Sequence, residues 1–195
     1  MPELSRRVQT FTDSVIRRMT RINNMTPGSI NLSQGFPDFD PPQEILDALK
    51  EAAEHGPHQY SITFGAKNFR DALAEMYTKK FAREIDPEKE IVVTCGGTEA
   101  MMAAMMTVCN PGDKVAVFSP FYENYGADAI LSGADPIYVP LVPPDFHYDS
   151  EALERAFQAG AKALILCNPS NPCGKVFTME EMEEIAELAK RYEPL

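Results

Sequence analysis

The chain has 195 residues, with 18 Lys and Arg against 29 Asp and Glu, a formal net charge of −11 at neutral pH. A chain of this length buries roughly 70% of the surface its unfolded form exposes, and 44% hydrophobic with 24% charged residues is globular composition, not that of a disordered segment. So acidic a surface repels a polyphosphate backbone, which excludes nucleic acid as the main partner.

Met1–Thr12 carries two arginines but no apolar run or small-residue cleavage site, so it does not read as a secretory signal. From Leu4 to Ile22 the apolar residues Val8, Phe11, Val15, Ile16, Met19 and Ile22 recur with a helical period, predicting an N-terminal arm helix. Gly, Pro and Asp break any period over Asn31–Pro42, and Asp40-Pro41-Pro42 predicts the start of a helix over Gln43–Glu54. An irregular stretch, His58–Gly65, leads to a helix over Lys67–Ala82.

From Glu90 short β-branched or apolar runs alternate with helical patterns. Strands are predicted at Ile91–Cys95, Val115–Phe118, Ile137–Leu141 and Ala163–Cys167. Helices are predicted at Glu99–Val108, Tyr122–Leu131, Ser150–Gln158 and Met179–Arg191, the last opened by the capping box Thr178-x-x-Glu181. This alternation predicts crossover units and a mainly parallel sheet. The longest nearly apolar run, Ala100–Cys109, is half of the ~20 residues a bilayer span needs and reads as a buried helix, so no membrane partner is expected. Cys95, Cys109, Cys167 and Cys173 form no Cys-x-x-Cys pair and lie mostly in apolar segments, which predicts reduced thiols, a cytoplasmic chain and no metal site. His55, His58 and His147 lie at a helix end or in loops and read as solvated.

Three loops carry possible chemistry, each following a predicted strand. Thr94-Cys95-Gly96-Gly97-Thr98-Glu99 runs from a strand into a helix; it reads either as a plain turn capped by Thr98 or as a phosphate cradle, because glycines let the backbone approach an anion and the first helical N–H groups lack intrahelical partners. Ser119-Pro120-Phe121-Tyr122-Glu123-Asn124-Tyr125 offers aromatic faces to a flat ring, or ordinary packing. Asn168-Pro169-Ser170-Asn171-Pro172-Cys173-Gly174-Lys175 offers neutral amide donors, or a Pro-rich Asx-turn. In an open parallel sheet, ligands sit beyond the carboxyl ends of the strands, where all three loops would lie. Together they describe a site for a flat, phosphorylated heteroaromatic cofactor. Neither Gly-x-Gly-x-x-Gly nor Gly-x-x-x-x-Gly-Lys-Ser/Thr occurs, which removes the best support for nicotinamide or nucleoside triphosphate.

The ordered set Asn31-Leu32-Ser33-Gln34-Gly35-Phe36-Pro37-Asp38-Phe39, Tyr60-Ser61-x-x-x-Gly65, Gly96-Gly97-Thr98, Pro120-Phe121-Tyr122 and Asn168-Pro169-Ser170-Asn171-Pro172-x-Gly174 resembles the class I/II aminotransferases. These are pyridoxal 5'-phosphate enzymes of fold type I, and the segment around Gly35 is most similar to the branch with kynurenine, glutamine, aspartate and methionine transaminases. The resemblance implies a three-layer α/β/α large domain with a mostly parallel sheet, incomplete here, behind an N-terminal helical arm. It divides the chain into residues 1–45, the arm and the start of a small domain, and 46–195, part of the cofactor-binding large domain.

The resemblance also implies site roles: Gly97 and Thr98 for the cofactor phosphate, Tyr122 stacked on the pyridine, Asn171 on the pyridine hydroxyl oxygen, Tyr60 on the phosphate of a neighbouring subunit, and Gly35 on the substrate carboxylate. Cys173 stands where the family more often has threonine, and Gly96 where some members have serine. The Schiff-base lysine, the pyridinium-binding aspartate with its neighbouring tyrosine, and the carboxylate-binding arginine come later in the family than Leu195. No catalytic residue is therefore assigned in this chain. Lys175 matches a structural position and Lys162 precedes a strand. The expected activity is amino-group transfer between an amino acid and a 2-oxo acid, by a chain inactive alone, in a homodimer or with a complementing C-terminal chain. Two other readings stay open at this stage: a C–S β-lyase of the same fold, and a non-catalytic truncated relative.

Overall fold

Two serines divide the N-terminal stretch in the computed structural model, which describes residues 3–10 and 14–194. Ser5 Oγ accepts from the Arg7 N–H (3.3 Å) and opens a 3-10 turn over Arg6–Gln9, while Ser14 Oγ accepts from the Arg17 N–H (3.2 Å) and opens helix α1, Val15–Asn24. The single arm helix expected over Leu4–Ile22 is therefore two segments, because a short hydroxyl side chain that takes a backbone N–H starts a helix instead of continuing one. Phe11, part of the expected period, lies outside the described residues.

The chain forms two compact units, Asp13–Thr94, and Met1–Thr12 together with Cys95–Leu195. The first unit holds α1, α2 (Gln43–His55) and α3 (Lys67–Phe81), the last two close to the predicted spans. None of the residues of α2 is buried, and Ile45, Leu46 and Leu49 on it are exposed. This unit is organised around a polar anchor. Arg70 on α3 is 1% exposed, and its guanidinium donates to Gly65 O (3.1 Å), to Pro87 O and to Glu88 Oε1 (3.1 Å). It thereby ties the loop before α3 to the loop after it. Gly65 has φ +107°, and a Cβ there would stand 2.5 Å from Val93 Cγ2, so this position requires glycine both for its backbone and for the close approach of Val93.

Ile91–Cys95 is not a strand. None of its residues enters a strand ladder among the described residues, and the Val93 N–H donates to Phe64 O of the Gly65 loop (3.0 Å). Its β-branched residues favour extended backbone, but a strand exists only when a neighbour pairs with it.

The second unit begins with α4, Gly96–Val108, three residues earlier than predicted, so that Gly97 and Thr98 belong to the helix's first turn. Next come β1 (Lys114–Ser119), α5 (Asn124–Ser132), β2 (Asp135–Val142), β3 (His147–Tyr148), α6 (Ser150–Gln158), β4 (Ala161–Ile165) and α7 (Met179–Tyr192). The sheet order is β3–β2–β1–β4; β1 pairs in parallel with both β2 and β4, and β3 adds an antiparallel edge of two residues. Such a short strand has too few positions to show a period.

Burial of β1 on both faces sets the layers. Val115 and Val117 pack with Met105 of α4, Ala129 of α5, and Ala163 and Ile165 of β4. Ala116 and Phe118 pack with Leu153 and Phe157 of α6 and Ile185 and Leu188 of α7. The unit is thus an incomplete three-layer α/β/α sheet domain, as expected. The capping box of α7 is present, with Thr178 N–H donating to Glu181 Oε2 (2.9 Å) and Glu181 N–H to Thr178 Oγ1 (3.2 Å).

Among the described residues, one buried side-chain oxygen stands without a hydrogen-bond partner. Asp128 on α5 is 4% exposed, its Oδ2 has no hydrogen-bond partner among the described residues, and burial raises its pKa above the ordinary 3.8.

Arg70→Met leaves two loop carbonyls without their donor and should cost the Asp13–Thr94 unit about 2–4 kcal/mol, read from urea denaturation. Because the folded chain favours the protonated acid at Asp128, that group's contribution is complete below its ordinary value and declines as pH rises through the raised one. Asp128→Asn should therefore flatten the fall in melting temperature as pH rises above about 4, the ordinary carboxylate value, measured by circular dichroism.

Candidate functional site

The carboxyl end of β1 gathers three loops of the second unit. At Ser119 the strand gives way to Pro120–Glu123 and then α5, and the Asn124 Nδ2 in the first turn of α5 donates to Thr98 Oγ1 of α4 (2.8 Å). This bond puts the N-terminus of α4 at the same end of the sheet. The Tyr122 and Tyr125 rings meet edge to face, with centroids 5.7 Å apart and planes at 77°. The Tyr125 hydroxyl lies beside the thiol of Cys167, two residues past the end of β4, whose Sγ donates to Pro169 O (3.3 Å). The neighbouring Cys167 side chain, then burial, pushes the phenol up to about 12, so it stays protonated across the physiological range.

The N-terminus of α4 is the part of the site suited to an anion. Gly97 and Thr98 lie in the first turn, where N–H groups have no intrahelical acceptor and the helix dipole favours negative charge. A Cβ built on Gly96 or Gly97 meets nothing within 4 Å, and Gly96 has φ +80°. The Thr98 hydroxyl accepts from Asn124 and keeps its own proton to donate. The Cys95 N–H is taken by the Glu99 carboxylate, which caps the turn from inside the helix.

The loop after β4 separates its two asparagines by task. Asn168 Oδ1 accepts from the Phe177 N–H (3.2 Å), and the backbone closes with Ser170 N–H to Lys175 O (2.8 Å) and Gly174 N–H to Ser170 O (2.8 Å). The Asn171 side chain stands exposed at the turn and has no hydrogen-bond partner among the described residues.

The lysines nearest in sequence are engaged elsewhere. Lys175 has a side chain 6% exposed, pairs with Glu181 Oε1 (2.8 Å) and stands 5.0 Å over the Phe177 ring. Lys162 near the start of β4 pairs with Asp113, just before β1 (3.0 Å), at the opposite end of the strands.

Gly97, Thr98 and Tyr122 thus meet at one sheet end, and the loop carrying Asn171 leaves the same end. Gly35 and Tyr60 belong to the Asp13–Thr94 unit, both exposed, with open space around a Cβ built on Gly35. Sequence reading missed Asn124 and Tyr125 as connectors; the available signal was a polar side chain opening a helix directly after a buried strand.

The model of the aminotransferase class I and II family matches residues 27–195. The chain belongs to this family. Among class I and II aminotransferases it is 33% identical over 202 residues to kynurenine–oxoglutarate transaminase 3 of Rattus norvegicus, covering 98% of this chain and 44% of that one. It is similar to the solved N-succinyldiaminopimelate aminotransferase from Mycobacterium tuberculosis, with a TM-score of 0.90 and 35% identity over 99% of this chain and 50% of that one. It is also similar to Thermus thermophilus aspartate aminotransferase solved with maleate, with a TM-score of 0.88 and 31% identity over 100% of this chain and 52% of that one. The chain spans about half the length of the curated relatives it matches.

Class I and II aminotransferases depend on pyridoxal 5'-phosphate. The donor set at the start of α4 fits the phosphate end of that cofactor: two first-turn N–H groups, a hydroxyl with a proton to give, and glycine backbone with room for close approach.

Proposed function

We propose that this chain is the N-terminal part of a pyridoxal-phosphate-dependent amino-acid aminotransferase that moves an amino group between an amino acid and a 2-oxo acid. The observation that carries the reading is the Thr98–Asn124 bond, which sets an anion cradle beside the Tyr122 loop in a chain of this family.

In this reading the Gly97 and Thr98 N–H groups and the Thr98 hydroxyl hold the phosphate, and Tyr122 lays its ring on the pyridine, steadied at its edge by Tyr125. Asn171 donates to the ring's hydroxyl oxygen. Tyr60 reaches the phosphate of the neighbouring subunit in a homodimer, and Gly35 presents its backbone to the substrate carboxylate. Residues 1–45 serve as arm and start of the small domain, and 46–195 as part of the large domain. When bound, the cofactor supplies the electron sink that labilises a bond at Cα of the amino acid. The residues of this chain bind and orient it; they do not move the proton.

Proton transfer at Cα needs an amine within reach, and Lys162 and Lys175 are held in ion pairs. The anchoring lysine belongs, in this reading, to the half of the relatives that this chain does not span, and the chain alone does not turn over. That half arrives as a complementing C-terminal chain or as the rest of a longer protein. Free cysteines support a cytoplasmic setting.

Borohydride reduction with pyridoxal phosphate, followed by peptide mapping, should give no stoichiometric adduct on this chain and a single labelled lysine on the complementing half. A stoichiometric adduct at Lys175 contradicts the reading.

A further inference from the structure

We propose that Asn124 is a positioning residue for the phosphate cradle, acting through Thr98; this rests on the cofactor reading above. A threonine hydroxyl has one proton and two lone pairs, and its rotor is free unless a neighbour fixes it. Asn124 Nδ2 donates to Thr98 Oγ1 at 2.8 Å, so the amide occupies a lone pair and cannot receive the hydroxyl proton through that nitrogen. The proton is left to turn toward an acceptor on the side of the Gly97 and Thr98 N–H groups. A rotor set in advance offers its donor without the entropy loss of choosing it on binding.

Asn124 is available for this task because its own helix does not use it. The residue that caps α5 is Glu123, and no side-chain cap bond closes that helix end. The first turn of α5 is held in place by its neighbours: Tyr125 N–H donates to Tyr122 O (3.0 Å), the Tyr122 and Tyr125 rings meet edge to face, and Gly126 lets α5 approach the stacked Phe121 and Tyr138 rings. A Cβ at Gly126 would stand 3.1 Å from both Phe121 Cε2 and Tyr138 Oη. The amide that orients Thr98 is therefore mounted on a packed helix, not on a loop.

The test is equilibrium binding of pyridoxal phosphate and of phosphate-free pyridoxal to the chain and to three variants: Asn124→Ala, Thr98→Val, and both together. Pyridoxal phosphate should bind more tightly than pyridoxal to the unaltered chain. Asn124→Ala should weaken pyridoxal phosphate about three- to tenfold, the order of one ordinary net hydrogen bond, since the Thr98 hydroxyl stays but loses its set direction, and leave pyridoxal unchanged. In the Thr98→Val background it should add less than about twofold, since the hydroxyl through which it acts is gone. Asn124→Asp, close to isosteric, keeps the test open if the alanine variant does not fold. It should weaken pyridoxal phosphate further, because a carboxylate draws the Thr98 proton to itself and repels the anion. The ³¹P shift of bound pyridoxal phosphate should move in Asn124→Asp and not return on raising the ligand concentration.

Equal losses for both ligands, equal losses in both Thr98 backgrounds, or no loss while Thr98→Val does weaken binding overturn the positioning role and leave the cradle standing. An unaltered chain that does not favour pyridoxal phosphate over pyridoxal overturns the cradle, and the inference with it.

Discussion

Strand β1 is buried on both faces, and the second unit depends on that constraint. Val115 and Val117 fill one layer while Ala116 and Phe118 fill the other, so helices must cover both sides of the sheet. Parallel neighbours on each edge of β1 then require crossover connections, which send the chain out of each parallel strand at the same end. Loops of high chemical content collect there as a consequence of topology. Phe118 illustrates the coupling: it sits in the α6–α7 layer, against Tyr148 and Phe177, one residue before the strand end from which the Tyr122 loop departs.

The loops are joined by few polar bonds. Thr98 to Asn124 links α4 with α5, and Tyr125 sets its hydroxyl beside the Cys167 thiol past the end of β4. Each uses neutral groups. Neutral connectors suit a place meant to receive an anion, because they orient donors without adding a charge that the anion must displace or share. Lys175 beside these loops is turned to Glu181, and Lys162, at the opposite end of the strands, is turned to Asp113.

Much of this architecture was legible in the residues, for physical reasons that differ by element. Helices α2, α3, α6 and α7 carry a 3.6-residue period strong enough to set their spans within about a residue or two, and Thr178 with Glu181 announced the start of α7. The apolar run at β1 was equally plain. Ile91–Cys95 was misread because side-chain pattern reports the preference for extended backbone and not the presence of a pairing neighbour. The N-terminal arm was misread because a sustained apolar period outweighed Ser5 and Ser14, whose capping divides it. At the site, residue types in loops after predicted strands were visible, and so was the family resemblance. The bonds between loops were not: Thr98 and Asn124 are 26 positions apart, and no local pattern records that distance. Arg70 was overlooked for the same reason, since its partners at Gly65, Pro87 and Glu88 converge only in the folded unit.

The central claim is that the strand-end loops of the second unit form the phosphate-and-ring half of a cofactor site. Titrating the isotope-labelled chain with pyridoxal phosphate while following backbone amide resonances tests it most directly. Saturable shifts concentrated at Gly97, Thr98, Tyr122 and Asn171 are expected, with the two first-turn amides of α4 moving most. Shifts that gather on other surfaces, or amides at Gly97 and Thr98 that stay still while the ligand binds, would contradict it.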